Sequence, residues 1–216
     1  MPGLFEKDLR LTLARKQSLL TFLVVALIMG ITMEGTFTVG YLTMLAAIVA
    51  VGTISYDEFD NGFAFLMTLP VDRKTYVQEK YLFSLILAAV AWCFGVVLYC
   101  IQSVIRHNGL VLTEELPMLL ALIPVLYLST SIIIPLQLRY GSEKSRTVLF
   151  IIFGIIAVLV FGIGKMFGGS NIPAELTKML EGMPPFAVVV VLAAVSALIA
   201  GVSCLLSIRI MEKKEF

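Results

Sequence analysis

An all-α integral membrane protein, a single domain with six transmembrane helices, is the fold class this sequence predicts. Three observations carry that reading. Hydrophobic residues make up 59% of the 216 and charged residues 14%, against roughly 45–50% and about 25% in soluble domains; the mean hydropathy is +0.99. The apolar residues gather into six runs, 18–33, 37–55, 81–104, 116–138, 147–164 and 186–208, near the ~20 residues that cross ~30 Å of hydrocarbon. The basic residues between the runs are one-sided. With the N-terminus in the cytoplasm, thirteen of the sixteen Lys and Arg fall inside, leaving Arg106, Lys165 and Lys178 outside. By the positive-inside rule both termini then face the cytoplasm.

Residues 1–17 place Phe5, Leu9 and Leu13 at i, i+4 and i+8, opposite Lys7, Arg10, Arg15 and Lys16. That pattern predicts an amphipathic helix lying at the interface before the first span, or a basic anchor for it. The run 18–33 is read as a span rather than a signal peptide, because no small-residue cleavage site follows it. It is slightly short unless Gln17 and Ser18 begin the helix early. Glu34-Gly35-Thr36 makes a brief turn into the second span.

The stretch Ser55 to Lys80 is the longest patterned polar interruption. Asp57, Glu58, Asp60, Asp72, Arg73, Lys74, Glu79 and Lys80 alternate there with Phe59, Phe63, Phe65, Leu66 and Met67. Phe59, Phe63 and Leu66 at i, i+4 and i+7 predict one apolar face of a short surface helix, ended by Leu69-Pro70. Asp72 is placed to cap a new helix that runs from Arg73 into the third span. Arg73 and Lys74 oppose the positive end of that helix dipole, so helix stability does not account for them. They suit lipid phosphates, acidic partner residues or positive-inside anchoring.

Later in the chain, Arg106 to Glu115 reads as a polar loop. The fourth span contains Pro117, Pro124 and Pro135, and Pro124 is expected to kink it. Arg139 to Arg146 reads as a short charged loop. Lys165 to Pro185 reads as a loop with a short helix over 174–181, and residues 209–216 as a charged tail.

Several chemistries are excluded. No Gly-x-x-x-x-Gly-Lys-Ser/Thr loop is present, so ATP hydrolysis of that type must belong to another polypeptide. His107 is the sole histidine and is expected in a loop; Glu114-Glu115 has no second ligand set, and no serine sits in a nucleophile turn. The chain is therefore not read as an enzyme, and no cofactor or metal is assigned to it. Cys93, Cys100 and Cys204 lie in apolar runs and are read as buried small residues. A net charge of +1 without basic–aromatic clusters argues against nucleic acid. Span interiors without clear charges leave little for an ion-driven carrier.

Asp57-Glu58, then Met67-Thr68-Leu69-Pro70-Val71-Asp72-Arg73-Lys74-Thr75-Tyr76-Val77 leading into Lys80-Tyr81, resembles the bacterial type-2 ATP-binding-cassette (ABC) exporter permeases. The resemblance is to the small Gram-positive branch that includes the membrane subunits of the phenol-soluble modulin exporter. Tyr140-Gly141-Ser142-Glu143-Lys144-Ser145-Arg146 is similar to that branch's Gly-x-Glu-Lys-x-Arg loop. The match spans essentially the whole chain, with its sharp motifs in these two cytoplasmic loops.

The resemblance implies a permease subunit in the bacterial plasma membrane. Between spans 2 and 3 it would carry a cytoplasmic coupling helix that docks on an ABC ATPase. The residues assigned to coupling are Asp57, Glu58, Phe59, Asp60, Phe63, Leu66, Arg73, Lys74, Glu143 and Lys144. Two ATPase subunits, binding ATP and Mg, would serve two permease chains, identical or different. Amphipathic or hydrophobic peptide is the implied cargo; a drug, a lipid-like molecule or sodium is the alternative, and a non-transporting scaffold or sensor partner of an ATPase is the rival class. Candidates for the substrate path are Thr43, Thr53, Gln102, Ser103, Pro124, Ser129, Thr130, Ser131 and Gln137, though small and polar residues also mediate helix packing in lipid.

Overall fold

The computed structural model describes residues 2–32, 35–59, 62–69, 71–105, 112–166 and 183–214. Among them all regular structure is helical, in seven elements: α1 (Pro2–Ala14), α2 (Lys16–Thr32), α3 (Gly35–Glu58), α4 (Gly62–Thr68), α5 (Arg73–Ile105), α6 (Leu112–Met166) and α7 (Pro185–Glu212). Asp60, His107 and the short helix expected over 174–181 lie outside the described residues.

Four of these helices are long and apolar enough to cross a membrane, within α3, α5, α6 and α7; the bent pair α1–α2, with 67° between its arms, makes a fifth if taken as one span. The difference from the six expected runs has a physical origin at two places. The first run folds as α2, whose 17 residues reach about 26 Å at 1.5 Å per residue, short of ~30 Å of hydrocarbon. The fourth and fifth runs belong to one 55-residue element, α6. The charged loop expected over Arg139 to Arg146 is replaced by a break at one residue, Gly141, with φ 80° and ψ 170°. Helical dihedrals continue through Pro117, Pro124 and Pro135, so the break falls at the glycine and not at Pro124.

Helix α5 begins at Arg73 and runs unbroken for 33 residues, about 50 Å. It therefore extends past the hydrocarbon thickness by several turns, and its first turns stand beside α4, the end of α3 and the end of α7. We call this the charged end of the bundle. Its core joins Leu4 of α1, Val51 and Ile54 of α3, Phe63 and Leu66 of α4, Tyr76, Val77 and Tyr81 of α5, Ile134 and Leu138 of α6, and Met211 of α7. A smaller cluster of Val39, Tyr99 and Leu119 sits toward the other end. There Trp92 Nε1 donates to the Leu119 carbonyl at 2.8 Å, and Thr36 Oγ1 donates to Glu115 at 3.0 Å.

Close approach rests on small residues, as lipid-embedded helices require. Gly95 of α5 faces Val39 of α3 so tightly that an added Cβ would lie 3.1 Å from the Val39 Cα. Helix α7 turns Ser196, Ala200, Ser203 and Ser207 inward, one small residue per turn. Tyr81 Oη meets Ser203 Oγ at 2.7 Å and Ser207 Oγ at 2.9 Å, tying α5 to α7. The opposite face of α7 exposes Val190, Leu198, Val202 and Leu205, and α2 exposes Leu20, Val24 and Ile28. These apolar faces are what lipid or another membrane helix covers. Cys93 is exposed rather than buried, on the outer side of α5, while Cys100 and Cys204 are partly covered; all three are free thiols.

Candidate functional site

Charge converges at the charged end from three helices. Asp8 of α1, Asp57 of α3 and Lys80 of α5 are 0%, 5% and 2% exposed, although Asp57 and Lys80 lie at the edges of apolar runs and Asp8 in the amphipathic segment before the first, where a lone helix would leave each in water. Lys80 Nζ lies 2.7 Å from Asp57 Oδ2 and also pairs with Asp8 Oδ2. It donates to Thr53 Oγ1 at 3.0 Å. Lys7 pairs with Asp57 Oδ1 and stands 3.1 Å from Asp8 Oδ1. Tyr76 Oη donates to Asp57 Oδ2 at 2.9 Å, and its ring lies 5.1 Å from the Lys80 ammonium. Among the ion-paired groups, two ammoniums and two carboxylates thus balance. Burial works against the Lys7 ammonium, but Asp57 and Asp8 beside it outweigh that and hold its pKa above the ordinary lysine value. Next to Lys80, Glu79 is 2% exposed, and neither carboxylate oxygen has a hydrogen-bond partner among the described residues.

The cluster locks α1 onto α3 and α5. The inward stripe of α1 is Leu4, Asp8 and Thr12, while Leu9 and Leu13 stay exposed and Phe5 meets the Phe83 ring edge-on at 5.3 Å. Asp57 is therefore not a surface group, contrary to the expectation for the coupling segment. Nor do Phe59, Phe63 and Leu66 share a face. Helix α3 ends at Glu58 and α4 starts at Gly62, which breaks the register between them. Phe63 and Leu66 are 4% and 7% exposed, and the Phe63 ring packs edge-on against Tyr76 at 5.8 Å. Phe59 and Phe65 are the aromatics turned outward, at 72% and 69%.

Glu58 makes the second tie. Its Oε2 accepts from the Ser142 backbone N–H at 2.7 Å. The break at Gly141 starts a new helical stretch at 142 and leaves its first N–H groups without partners in that stretch. A carboxylate from α3 fills that place, where the helix dipole also favours negative charge. The Gly141 backbone lies in a region that is essentially reserved for glycine, and a Cβ there would overlap Glu58 Oε1. Gly141→Ala is expected to destabilise the chain by about 1–3 kcal/mol on strain of this kind, read as a lowered midpoint of thermal unfolding in detergent. An unchanged midpoint would contradict the conformation described. Glu143 and Lys144 are exposed beside this turn, and Ser145 is buried, its Oγ donating to the Ser142 carbonyl at 3.0 Å.

Arg73 is engaged within the chain. Its guanidinium donates to the carbonyls of Met211 at 3.0 Å and Glu212 at 2.7 Å, a cation on the open C-terminal end of α7. Lys74 lies 3.7 Å from the Glu212 carboxylate on the surface, a pair worth little. Lys214 donates to the Leu138 carbonyl at 3.2 Å and sits 4.7 Å from the Phe63 ring centroid. The tail after α7 thereby closes over α4.

The residues assigned to a substrate path do not converge. Thr43, Thr130 and Ser131 are buried, and each hydroxyl donates to a carbonyl one turn back in its own helix; Ser129 does the same from an exposed position. Gln102 lies near Gly30 and Gly35, where its Oε1 has no partner among the described residues. Pro124 is buried within α6. A cavity of about 750 Å³ lies elsewhere, between the α1–α2 elbow, α3 and α6, and of the expected path residues Thr53 and Gln137 line it.

The ion cluster was not read from the sequence as a unit. Its one sequence signal is that Asp57 and Lys80 each stand within a turn of an apolar run, while Asp8 and Lys7 lie on the amphipathic segment before the first run, with signs that cancel as a set.

A family model described as "ABC-2 family transporter protein" matches residues 3–212. Among the curated proteins and the solved structures no match to this chain was found.

Proposed function

The chain belongs to the ABC-2 family of transporter proteins, membrane permease subunits that work with an ABC ATPase, and on that footing we propose that it is the membrane half of an ABC exporter for amphipathic or hydrophobic peptide. In this reading two permease chains pair in a bacterial plasma membrane, and two ATPase subunits bind the ATP and Mg. Both termini face the cytoplasm. Helix α2 and the stretch after Gly141 complete six spans, α2 by starting at Lys16 and drawing its flanking residues into the interface.

The observation that carries the proposal is the way α4 is mounted. Phe63 and Leu66 anchor it in the core, Phe65 and Leu69 point outward, and the 33-residue α5 begins four residues beyond Leu69. A push on α4 therefore meets a stiff lever rather than a slack loop. The Glu58–Ser142 bond carries the same displacement to α6. Rigid-body movement of packed helices is the expected response. Asp57, Phe63 and Leu66 serve coupling by holding α4, whereas Phe59, Phe65, Glu143 and Lys144 are the groups offered to the ATPase. Arg73 belongs to the holding set, through its bonds to the end of α7, and Lys74 stands at the rim.

The test is ATP turnover in lipid nanodiscs, with the chain co-expressed and co-purified with a partner ABC ATPase from the same genome. Stable co-purification and turnover stimulated several-fold by an amphipathic helical peptide is the expected result. A stable complex that ignores peptide would reject the cargo and keep the permease. No complex at all would reject the coupling assignment and favour the scaffold class.

A further inference from the structure

The cavity beside the α1–α2 elbow has a chemistry of its own. Its walls carry Leu19 and Phe22 from α2, Ile48 and Val49 from α3, and Leu149 from beyond the Gly141 break. The two helices of the elbow also expose apolar side chains, Leu9 and Leu13 of α1 and Leu20 and Val24 of α2. Its charged lining groups are Arg15, Arg146 and Glu143, one net positive charge. Among the described residues neither arginine forms an ion pair. Arg15 stacks on the Tyr56 ring at 4.1 Å, which fixes the guanidinium plane and leaves its in-plane N–H donors available. Gln137 is 8% exposed; its Nε2 donates to Ser55 Oγ at 3.1 Å, while its Oε1 has no donor among the described residues. A buried acceptor left open at a cavity wall calls for a donor from a ligand.

An apolar wall, two cations and one unanswered acceptor describe an anionic amphiphile whose head carries a hydroxyl. We propose that this cavity binds one anionic glycerophospholipid, its phosphate held by Arg15 and Arg146, its headgroup hydroxyl donating to Gln137 Oε1, and its acyl chain lying along Leu19, Phe22, Ile48 and Val49. The volume, about 750 Å³, is in the range of small-molecule sites, roughly 300–1,000 Å³, and accommodates the head and the first part of the chains. The site has mechanical neighbours. Thr53, on its wall, is bonded into the Lys80–Asp8 cluster, and Ser142 and Glu143 belong to the turn that Glu58 holds. A lipid here joins the α1–α2 elbow to α6 at the point where the proposed coupling arrives. The inference stands whatever the cargo.

The experiment is native mass spectrometry of the full chain released from bilayers with equal phosphatidylglycerol and phosphatidylcholine. The wild type should retain one phosphatidylglycerol with a preference of about 30-fold, the expectation for two basic groups on an anionic head. Arg15→Gln with Arg146→Gln should cut the preference below about threefold, and Gln137→Leu should lower phosphatidylglycerol retention about fivefold. Arg10→Gln with Arg139→Gln, exposed cations outside the cavity, the first paired to Glu6, should change neither. Equal retention of both lipids by the wild type overturns the proposal. So does an equal loss in the control pair, which would assign the preference to general surface charge. A lipid-free dimer that falls apart in the Arg15/Arg146 variant also overturns it, because a second copy of the chain would then fill the cavity.

Discussion

Replacing Lys80 by Met is expected to destabilise the folded chain by about 3–5 kcal/mol, the usual cost of breaking a buried ion pair from one side. Lys80 stands between the carboxylates of Asp8 and Asp57 and also serves Thr53. Without it, two buried carboxylates face each other with Lys7 as their sole ammonium. The cost then comes from the charges left behind, more than from any net strength of the original pairs, because desolvation offsets most of what a buried pair gains. That distinction is measurable. Of the ion-paired set, Lys80→Met combined with Asp8→Asn leaves one ammonium and one carboxylate, Lys7 and Asp57, already paired. The double variant should recover half or more of the loss, a coupling energy well beyond additivity. Unfolding midpoints in detergent would measure both variants. A single-variant loss below about 1 kcal/mol would mean that water reaches the cluster and that it behaves as a surface pair. The expected role of the cluster is registry: its partners fix where α1 sits along α3 and α5, and an amphipathic helix held by lipid contacts alone would slide.

Four helices long and apolar enough to cross a membrane and the unbroken start of α5 at Arg73 were legible in the sequence, because each follows from apolar run length and punctuation on one segment. What failed to show there depends on several segments meeting. Asp57 and Lys80 sit at the edges of their runs, and a reading one helix at a time places them in water; burial follows only when α1 brings Asp8 and Lys7 to the same point. The predicted face of Phe59, Phe63 and Leu66 assumed one helix across them, whereas α3 stops at Glu58 and α4 starts at Gly62. Arg73 does not help the start of its own helix, and its partners, the carbonyls at the end of α7, lie 138 and 139 residues away. Arg139 to Arg146 reads as a loop because the partner that permits a break at Gly141 alone, the Glu58 carboxylate, is on another element. The hydroxyls offered as a path, Thr43, Thr130 and Ser131, bond to their own helices, as Ser and Thr in membrane spans commonly do.

The same placements turn the coupling segment into two classes of residue with opposite expected phenotypes. Phe65→Ala removes a side chain that is 69% exposed, so stability should stay within about 0.5 kcal/mol of the wild type. If α4 docks on an ATPase through that ring, an aromatic anchor at the centre of an interface is worth about 2 kcal/mol or more, so affinity for the ATPase should fall about 30-fold and peptide-stimulated turnover should be lost. Phe63→Ala does the reverse. Phe63 is 4% exposed against Tyr76 and the core, and its truncation should cost about 3–5 kcal/mol of stability as buried Phe→Ala changes do, with coupling failing because α4 loses its mount. Phe150→Ala, 78% exposed on the stretch beyond Gly141, should alter neither property. Affinity measured by surface plasmon resonance and stability by thermal unfolding separate the classes. Unchanged ATPase affinity in Phe65→Ala, with Phe63→Ala unfolding early, would mean that the outward ring lies in lipid and that docking passes through Glu143 and Lys144 instead. The contrast has force because the two rings are two residues apart on one seven-residue helix: a general disturbance of α4 would strike both variants alike, and only a surface that meets a partner on one side and a core on the other sets them apart.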